Sequence, residues 1–392
     1  MNSRTPWFTI GCILLAGFIF VISWLRRERV PSSDAKVKVS LGETNRQTVF
    51  PVRKRPLPQQ AALQPAAANF EEKIGALAQQ SYEVRMKFVS ELEAKSSAEL
   101  FGSWLIETKA KNDSFRLDYI ADALATRLRD GQANTAAVLR QMQQFYMDSD
   151  NDDYSRSRVA QILSRAATLE TLAVLLELVE TTQQPESRAW LLQQITKASQ
   201  NNWGGQFHED FTDPLGKAWQ SANAQSDSLT DLGLAIASVG STKGLELLFS
   251  HIKSGGVTVG EFEKKADNKA WIAFGSLEHV RNPASVPFLS SELSAGPPDS
   301  ITTSAAGYCL AKMGQAEATA VLLRWVQTNP TDVSGYVTDW FRQMRDSGSV
   351  ESVNTAVKQA DFVNQRNKDA LSAALTVWLS HRSENIRPIV DR

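Results

Sequence analysis

The strongest constraint on the fold is a helix-breaking turn that recurs along the chain at intervals of 34 to 40 residues. Residues 240–249 read GSTKGLELLF and residues 314–323 read GQAEATAVLL, so a glycine is followed twice by small polar residues and then by an apolar pair. Such a period is typical of a repeat array in which each unit is one supersecondary element. The turns are predicted near Lys95, Gly131, Ala167, Trp203, Gly240, Val280, Gly314 and Gly348.

An apolar column accompanies these turns. The breaker is predicted to end the first helix of a unit, and the polar residues after it are predicted to cap a second helix. Because a single helix pair cannot bury its apolar face alone, the column predicts the seam along which the second helices pack against their neighbours. Eight positions after each turn from Gly131 onward stand Leu139, Leu175, Phe211, Leu248, Phe288, Leu322 and Ala356.

Helical periodicity extends through the rest of the chain from Phe70 onward. Phe70, Ile74 and Leu77 recur at i, i+4 and i+7, which places them on one face of a helix, and no convincing period-2 strand is found. The predicted fold class is therefore all-α.

Three segments of the chain resemble HEAT-like, armadillo-type helical repeats. Residues 299–314 (DSITTSAAGYCLAKMG) look like the first helix of such a repeat, and residues 282–293 (NPASVPFLSSEL) and 314–326 look like the turn and second helix. The resemblance covers about 150–348 and is degenerate over 70–150 and beyond 360. It implies that residues 69–392 form an α-solenoid of about eight helical hairpins that binds other macromolecules. It supplies no catalytic residues.

The N-terminal region predicts a membrane anchor. Residues 7–25 (WFTIGCILLAGFIFVISWL) are uncharged, and as a helix they would span roughly 28 Å, close to the hydrocarbon thickness of a bilayer. Tryptophans lie at both ends, three arginines follow, and no A-x-A cleavage site is present. We expect one transmembrane helix within residues 1–29, hence a single-pass membrane protein that contacts the lipid bilayer through residues 7–25.

Residues 30–68 are rich in proline, alanine and glutamine and carry several basic residues, which predicts a disordered linker. The excess of arginine after the span favours placing the solenoid on the cytoplasmic face of the membrane, which in a bacterium would be the cytoplasmic membrane. Export to the opposite side stays an alternative, because long domains translocate largely regardless of charge.

Composition excludes several classes of partner and site. With 42 basic and 43 acidic residues the net charge is −1, so no global field attracts nucleic acid, and no nucleic-acid partner is expected. Cys12 and Cys309 are the two cysteines, which is too few for a disulfide framework or a thiolate metal site.

The segment DSDNDD places Asp148, Asp150 and Asp152 at the spacing of a calcium loop, and these three residues are the candidate metal ligands. That type of loop also needs glycine at its sixth position and glutamate at its twelfth, where this chain has Asp153 and Val159. The alternative is a polar turn in which Asp152 or Asp153 caps the helix that begins near Tyr154.

The segment WGGQFHEDFTD at residues 203–213 supplies the candidate partner-binding residues. A zinc site is disfavoured because the H-E-x-x-H spacing is absent, and His208 is alternatively a partly buried structural residue. A partner-facing loop is also consistent with this segment, because insertions in solenoids collect at one edge. The candidates are Trp203, Phe207, His208 and Phe211.

No convergent acid, base or nucleophile is evident in the sequence, so the chain is predicted not to be an enzyme and to need no cofactor. The predicted function is a membrane-tethered helical-repeat scaffold or adaptor that binds a protein partner through the solenoid surface. One alternative is an enzyme-associated or lyase-like HEAT-repeat protein, since some HEAT-like proteins resemble the lyases that attach bilins to phycobiliproteins. The other is a structural spacer of the cell envelope.

Overall fold

The computed structural model of the chain describes residues 81–110, 114–131, 134–200, 207–223, 228–342, 344 and 347–385. This part of the chain is all-α and has no β-strand; a single isolated antiparallel bridge joins Thr258 and Ser300. Ile74–Arg392 forms one compact unit. The predicted anchor at 1–29 and the predicted linker at 30–68 lie outside the described residues.

Eighteen α-helices and three short 3-10 turns follow one another in the described ranges. The helices are α1 (Tyr82–Glu93), α2 (Ser97–Ala110), α3 (Ser114–Arg129), α4 (Thr135–Met147), α5 (Asp153–Ala166), α6 (Leu169–Thr181), α7 (Pro185–Ser199), α8 (Thr212–Ser221), α9 (Ser228–Val239), α10 (Thr242–Ser254), α11 (Val259–Lys265), α12 (Asn268–Ser276), α13 (Val286–Ser294), α14 (Ile301–Met313), α15 (Ala316–Thr328), α16 (Ser334–Arg342), α17 (Ser347–Gln359) and α18 (Gln365–Asn385). The 3-10 turns are η1 (Glu209–Phe211), η2 (Leu277–His279) and η3 (Pro283–Ser285).

The helices pack in two layers. The first layer contains α1, α3, α5, α7, α9, α12 with η2, α14, α16 and α18, and each of these contacts the next one in the same layer. The second layer contains α2, α4, α6, η1 with α8, α10, η3 with α13, α15 and α17, which follow one another in the same way. Each first-layer helix up to α16 is followed by a second-layer helix, so the repeating element is a helix pair.

Left-handed residues end four of the first-layer helices at predicted turns. Gly131, Ala167, Gly240 and Gly314 have φ of 66°, 50°, 61° and 69°. A residue in this conformation reverses the chain after a helix and lets the last carbonyls find partners, and glycine adopts it without strain. The predicted breakers at these four positions are confirmed, including position 167, where the residue is alanine and not glycine.

The apolar column is buried over most of its length. Four members of the column are fully buried: Leu175, Phe211, Leu248 and Leu322. Leu139 is nearly so. Phe288 and Ala356 are only half-buried. Near Phe288 the turn η3 shifts the phase of the following helix, and Leu289 takes the fully buried position instead.

Two predicted turns differ from the prediction. The breaker expected at Gly348 is wrong, because α17 begins at Ser347 and Gly348 therefore lies within its first turn. The preceding first-layer helix, α16, already ends at Arg342, so the turn comes earlier in the chain than predicted. Val280 has an extended backbone, with φ of −64° and ψ of 126°, and it joins η2 to η3 without a left-handed residue.

Among the helices that the structure describes, none is both long and apolar enough to cross a membrane. This finding contradicts the predicted localisation as a single-pass membrane protein, and we do not retain that localisation. The predicted span at residues 7–25, with its proposed bilayer contact, lies outside the described residues.

Candidate functional site

The turns from first-layer to second-layer helices lie along one edge of the helix pairs. Successive first-layer helices run in the same direction, because each is followed by one second-layer helix that returns the chain. Their C-terminal ends therefore lie side by side. We name this edge the turn surface; it comprises the turns at Gly131, Ala167, Gly240, Val280 and Gly314 and the segment 207–211.

Side chains from neighbouring pairs tie the turn surface together. The last carbonyls of an α-helix have no partner within the helix, so donors must come from elsewhere. Arg129 donates through Nε to the carbonyl of Ala166 at 3.3 Å. Asn282 donates through Nδ2 to the carbonyl of Val239 at 3.1 Å, and the side-chain amide of Gln315 donates to the carbonyl of Arg281. These donors are engaged within the protein, and they fix successive turns relative to one another.

The predicted partner-binding segment is only partly accessible. Phe207 and His208 are half-buried, whereas Phe211 is fully buried and its ring stacks on the imidazole of His208, with centroids 4.7 Å apart. Phe211 thus belongs to the seam and offers no surface to a partner, contrary to its inclusion among the candidates. Trp203 lies outside the described residues.

The surroundings of His208 favour the neutral form of its imidazole. Burial lowers the pKa of its imidazole, the carboxylate of Asp210 acts in the opposite direction, and the nearby charge of Arg129 lowers the pKa further. A neutral imidazole stacked on Phe211 presents one nitrogen that accepts and one that donates a hydrogen bond. His208 therefore contributes a half-exposed aromatic ring with polar atoms to the turn surface.

The three candidate calcium ligands lie in the turn between α4 and α5, where they are exposed. Asp152 is the N-cap of α5, because its Oδ1 accepts from the backbone N–H of Ser155 at 2.8 Å. Asp148 accepts from the backbone N–H of Asp150 at 3.0 Å. The predicted capping by Asp152 is confirmed. The carboxylates of Asp148 and Asp152 both accept hydrogen bonds from the local backbone. No group of three possible metal-ligating side chains occurs in the described ranges.

A cavity of about 190 Å³ opens on the turn surface, and no residue pattern in the sequence predicted it. Its lining comes from Gln200, the C-cap of α7, from Ser238 near the end of α9, and from His279 and Arg281 on either side of Val280. Three successive turns thus build one site. We name it the Ser238 cavity.

Ser238 is the buried member of this lining. It is 3% exposed, and its hydroxyl Oγ has no hydrogen-bond partner among the described residues. Buried polar side chains normally find a partner, so this hydroxyl carries a cost to stability.

His279 and Arg281 also line the cavity. His279 is 34% exposed, and its Nε2 lies 3.3 Å from Oε1 of Glu278. The other carboxylate oxygen of Glu278, Oε2, accepts a hydrogen bond from the hydroxyl of Tyr308 at 3.4 Å. Arg281 donates through Nη1 to the carbonyl of Val280 at 2.6 Å. Each of the four described residues of the lining has a side chain that can donate a hydrogen bond.

A second polar cluster lies on the opposite edge of the helix pairs. The ammonium of Lys269 donates to the carbonyl of Trp219 at 2.9 Å and lies 5.3 Å from the centroid of that indole ring. The ring of His251 meets the same indole edge to face, at 5.8 Å between centroids. Burial lowers the pKa of both His251 and Lys269. These contacts hold α8, α10 and α12 together.

The lining residues of the Ser238 cavity are separated by up to 81 positions in sequence, and only the stacking of helix pairs brings them together. One signal in the sequence nevertheless marks them. Gln200, Ser238 and His279 each stand within three residues before a predicted turn, at Trp203, Gly240 and Val280 respectively. Polar residues that stand one to three positions before a predicted turn therefore indicate the turn surface.

Comparisons with known proteins add little to this site. No known family matches the chain, and no curated protein matches it in sequence. Among solved structures, the chain is similar to human deoxyhypusine hydroxylase in complex with glycerol, with 11% sequence identity and a TM-score of 0.26 over 72% of this chain and 97% of that one.

A likeness of this degree transfers no residue role or activity to the chain. The prediction that the chain is not an enzyme is nevertheless contradicted, because the matched protein is an enzyme. We withdraw that prediction and assign no reaction.

Proposed function

We propose that the chain is a HEAT-like α-solenoid that serves as a scaffold and binds a protein partner through its turn surface. The observation that carries this proposal is the succession of helix pairs in two layers, from α1 to α18, with α11 as one extra helix between pairs and the turns along one edge. In such an array each unit is stabilised by its neighbours, and the edges are left available to a partner over many units.

The composition of the turn surface supports its choice as the binding edge. Phe207 and His208 are half-buried rings that combine apolar area with polar atoms, a combination enriched at protein interfaces. The neighbouring turns add polar groups, among them the exposed side chain of Arg129 and the lining of the Ser238 cavity. A partner that lies along this edge would meet both kinds of contact.

Co-purification tests this proposal. A tagged full-length chain is isolated from its native cells after mild cross-linking, and its co-purifying proteins are identified by mass spectrometry. A Phe207→Ala, Glu209→Lys double variant changes one half-buried ring and one exposed charge of the turn surface. We expect it to lose a specific partner that the wild-type chain retains.

The opposite edge supplies a matched control. Val363 is 65% exposed and the side chain of Arg366 is 79% exposed. Val363 lies in the connection before α18, and Arg366 lies in the first turn of α18. A Val363→Ala, Arg366→Glu double variant likewise changes one apolar and one charged residue, and it should retain the partner. Equal recovery of every co-purifying protein by both double variants would contradict binding through the turn surface.

A further inference from the structure

We propose that residues 74–80, directly upstream of α1, pack against an exposed apolar side of that helix and close the N-terminal end of the array. This inference goes beyond the proposed function, because it concerns the end of the array and does not depend on a protein partner. Residues 74–80 lie outside the described residues, whereas α1 is described in full.

The first half of α1 is poorly covered by the rest of the array. Leu92, near the end of the helix, is its one fully buried residue. The ring of Phe88 meets the ring of Tyr119 on α3 edge to face, at 6.4 Å between centroids. Earlier in the helix, Tyr82 is 69% exposed and Met86 is 43% exposed. The terminal unit of a stacked array normally has a polar outer face, so large apolar side chains exposed there indicate that another segment covers them.

The uncovered apolar residues form a stripe on one side of α1. Successive residues of an α-helix are about 100° apart, so Tyr82, Met86 and Val89 lie within about 60° of one another around the helix axis. Val89 is half-buried, and it continues the two exposed side chains toward the packed half of the helix. Val84 lies about 160° from Met86, on the opposite side. We name Tyr82, Met86 and Val89 the α1 stripe.

The chain directly upstream of α1 supplies a segment that matches the α1 stripe. Residues 74–80 read IGALAQQ and carry no charge. Ile74 and Leu77 stand at i and i+3, which places them on one face of a helix. The compact unit that contains α1 begins at Ile74. Ile74 and Leu77 are therefore the side chains that we expect to cover the stripe.

The backbone at Ser81 favours this packing over a longer α1. Ser81 is the N-cap of the helix, and its φ of −57° and ψ of 153° are extended, so the residues before it do not continue the helix axis. A turn at this point lets the segment run back along α1. Because a short connection joins the segment to α1, its effective concentration at the stripe is of millimolar order, which favours this contact over the binding of a second copy of the chain.

Two positions on α1 provide a matched test, because Met86 is 43% exposed on the stripe and Val84 is 45% exposed on the opposite side. Hydrogen exchange with mass spectrometry on the full-length protein should show slowed exchange in residues 74–80 of the wild type. Met86→Asp should abolish this protection, because it places a charge beneath an apolar contact, whereas Val84→Asp should retain it. Absence of protection in the wild type, retained protection in Met86→Asp, or equal loss in both variants would overturn the proposal.

Disulfide trapping tests the same contact with smaller substitutions. Ile74→Cys is combined with Met86→Cys or, as the control, with Val84→Cys, in a full-length chain that also carries Cys12→Ser; the remaining cysteine, Cys309, is buried. We expect an intramolecular disulfide to form several-fold faster with Met86→Cys than with Val84→Cys, since a segment that does not pack on α1 would reach both sides equally. Equal rates would overturn the proposal, and so would a disulfide between two chains, which would assign the stripe to a second copy.

Discussion

The indole ring of Trp340 lies directly against the backbone of Gly307, where α16 packs on α14. A Cβ on Gly307 would lie 2.5 Å from Cε2 of the indole and closer still to its Cζ2 and Cη2 atoms. Both residues are buried, and Trp340 also contacts the rings of Trp325 and Tyr336, with centroids 5.6 and 5.7 Å away. The absence of a side chain at Gly307 therefore sets how closely two neighbouring pairs approach.

We predict that Gly307→Ala destabilises the C-terminal pairs by about 1–3 kcal/mol, because an extra methyl group forces a packed ring to move. Chemical denaturation followed by tryptophan fluorescence measures this change. The control is Gly102→Ala within α2, where a Cβ meets no other atom within 4 Å. There the change should stabilise the helix by roughly 0.5–1 kcal/mol, and equal effects at the two glycines would contradict the packing described for Trp340.

A buried asparagine joins the last connections of the chain. Asn367 is fully buried; its Oδ1 accepts from the backbone N–H of Val333 at 2.9 Å, and its Nδ2 donates to the carbonyls of Asn329 and Thr331 at 3.2 and 3.0 Å. Asn367→Leu would leave three backbone groups without these partners, each at a cost of about 1–3 kcal/mol.

We therefore expect Asn367→Leu to raise the rate of amide hydrogen exchange in α16 and α18, while α5 to α9 keep their protection, because stability in a stacked array is local. Hydrogen exchange with mass spectrometry measures both regions. Gln365→Ala is the control, since the side chain of this exposed residue donates to Oδ1 of Asp369 within α18 and does not bridge to another connection. Unchanged exchange in the Asn367→Leu variant would rule out its bridging role.

Two half-buried histidines make stability depend on pH. Burial lowers the pKa of His251, the charge of Lys269 lowers it further, and the carboxylate of Asp267 acts in the opposite direction. Burial likewise lowers the pKa of His208. The folded protein thus binds these protons less tightly than the unfolded chain does. The contribution of each histidine to stability is complete above the ordinary value of 6.5 and is lost as the pH falls below it toward the folded pKa.

We predict that the melting temperature falls between pH 7 and pH 5, and that His251→Phe reduces this fall while preserving a ring against Trp219. For each group the free energy of unfolding changes by at most about 1.4 kcal/mol per pH unit. Thermal unfolding across this pH range, with the His208→Phe, His251→Phe double variant as a second comparison, measures the effect. Identical pH profiles for the wild type and both variants would contradict the burial of these imidazoles.

Much of the helix order follows from the sequence because turns and seam positions obey one period. The turn at Ala167 follows from the period alone, and the burial of Leu175 and Leu248 follows from their distance to the turns. The predicted positions are wrong where a repeat unit changes length. The early end of α16 displaces the turn expected at Gly348, and η3 moves the buried position from Phe288 to Leu289.

The candidate site was predicted less well than the helices. Phe207 and His208 were placed on an accessible edge, but Phe211 faces the seam, since it also occupies the apolar column. The Ser238 cavity was missed because its residues meet only through the stacking of α7, α9 and η2, and no motif links Ser238 to Arg281 along the chain. Pairwise packing, which a period does not specify, decides which polar side chains share a cavity.

Site-specific photo-cross-linking tests the central claim, binding of a protein partner through the turn surface, most directly. A benzophenone amino acid replaces Phe207 in one full-length variant and Val363, which is 65% exposed on the opposite edge, in another. After irradiation of intact native cells, we predict a discrete cross-linked adduct to one protein from position 207 and none from position 363. An adduct from position 363 together with none from position 207 would contradict the proposed binding edge, and the absence of adducts at both positions would contradict partner binding at this surface.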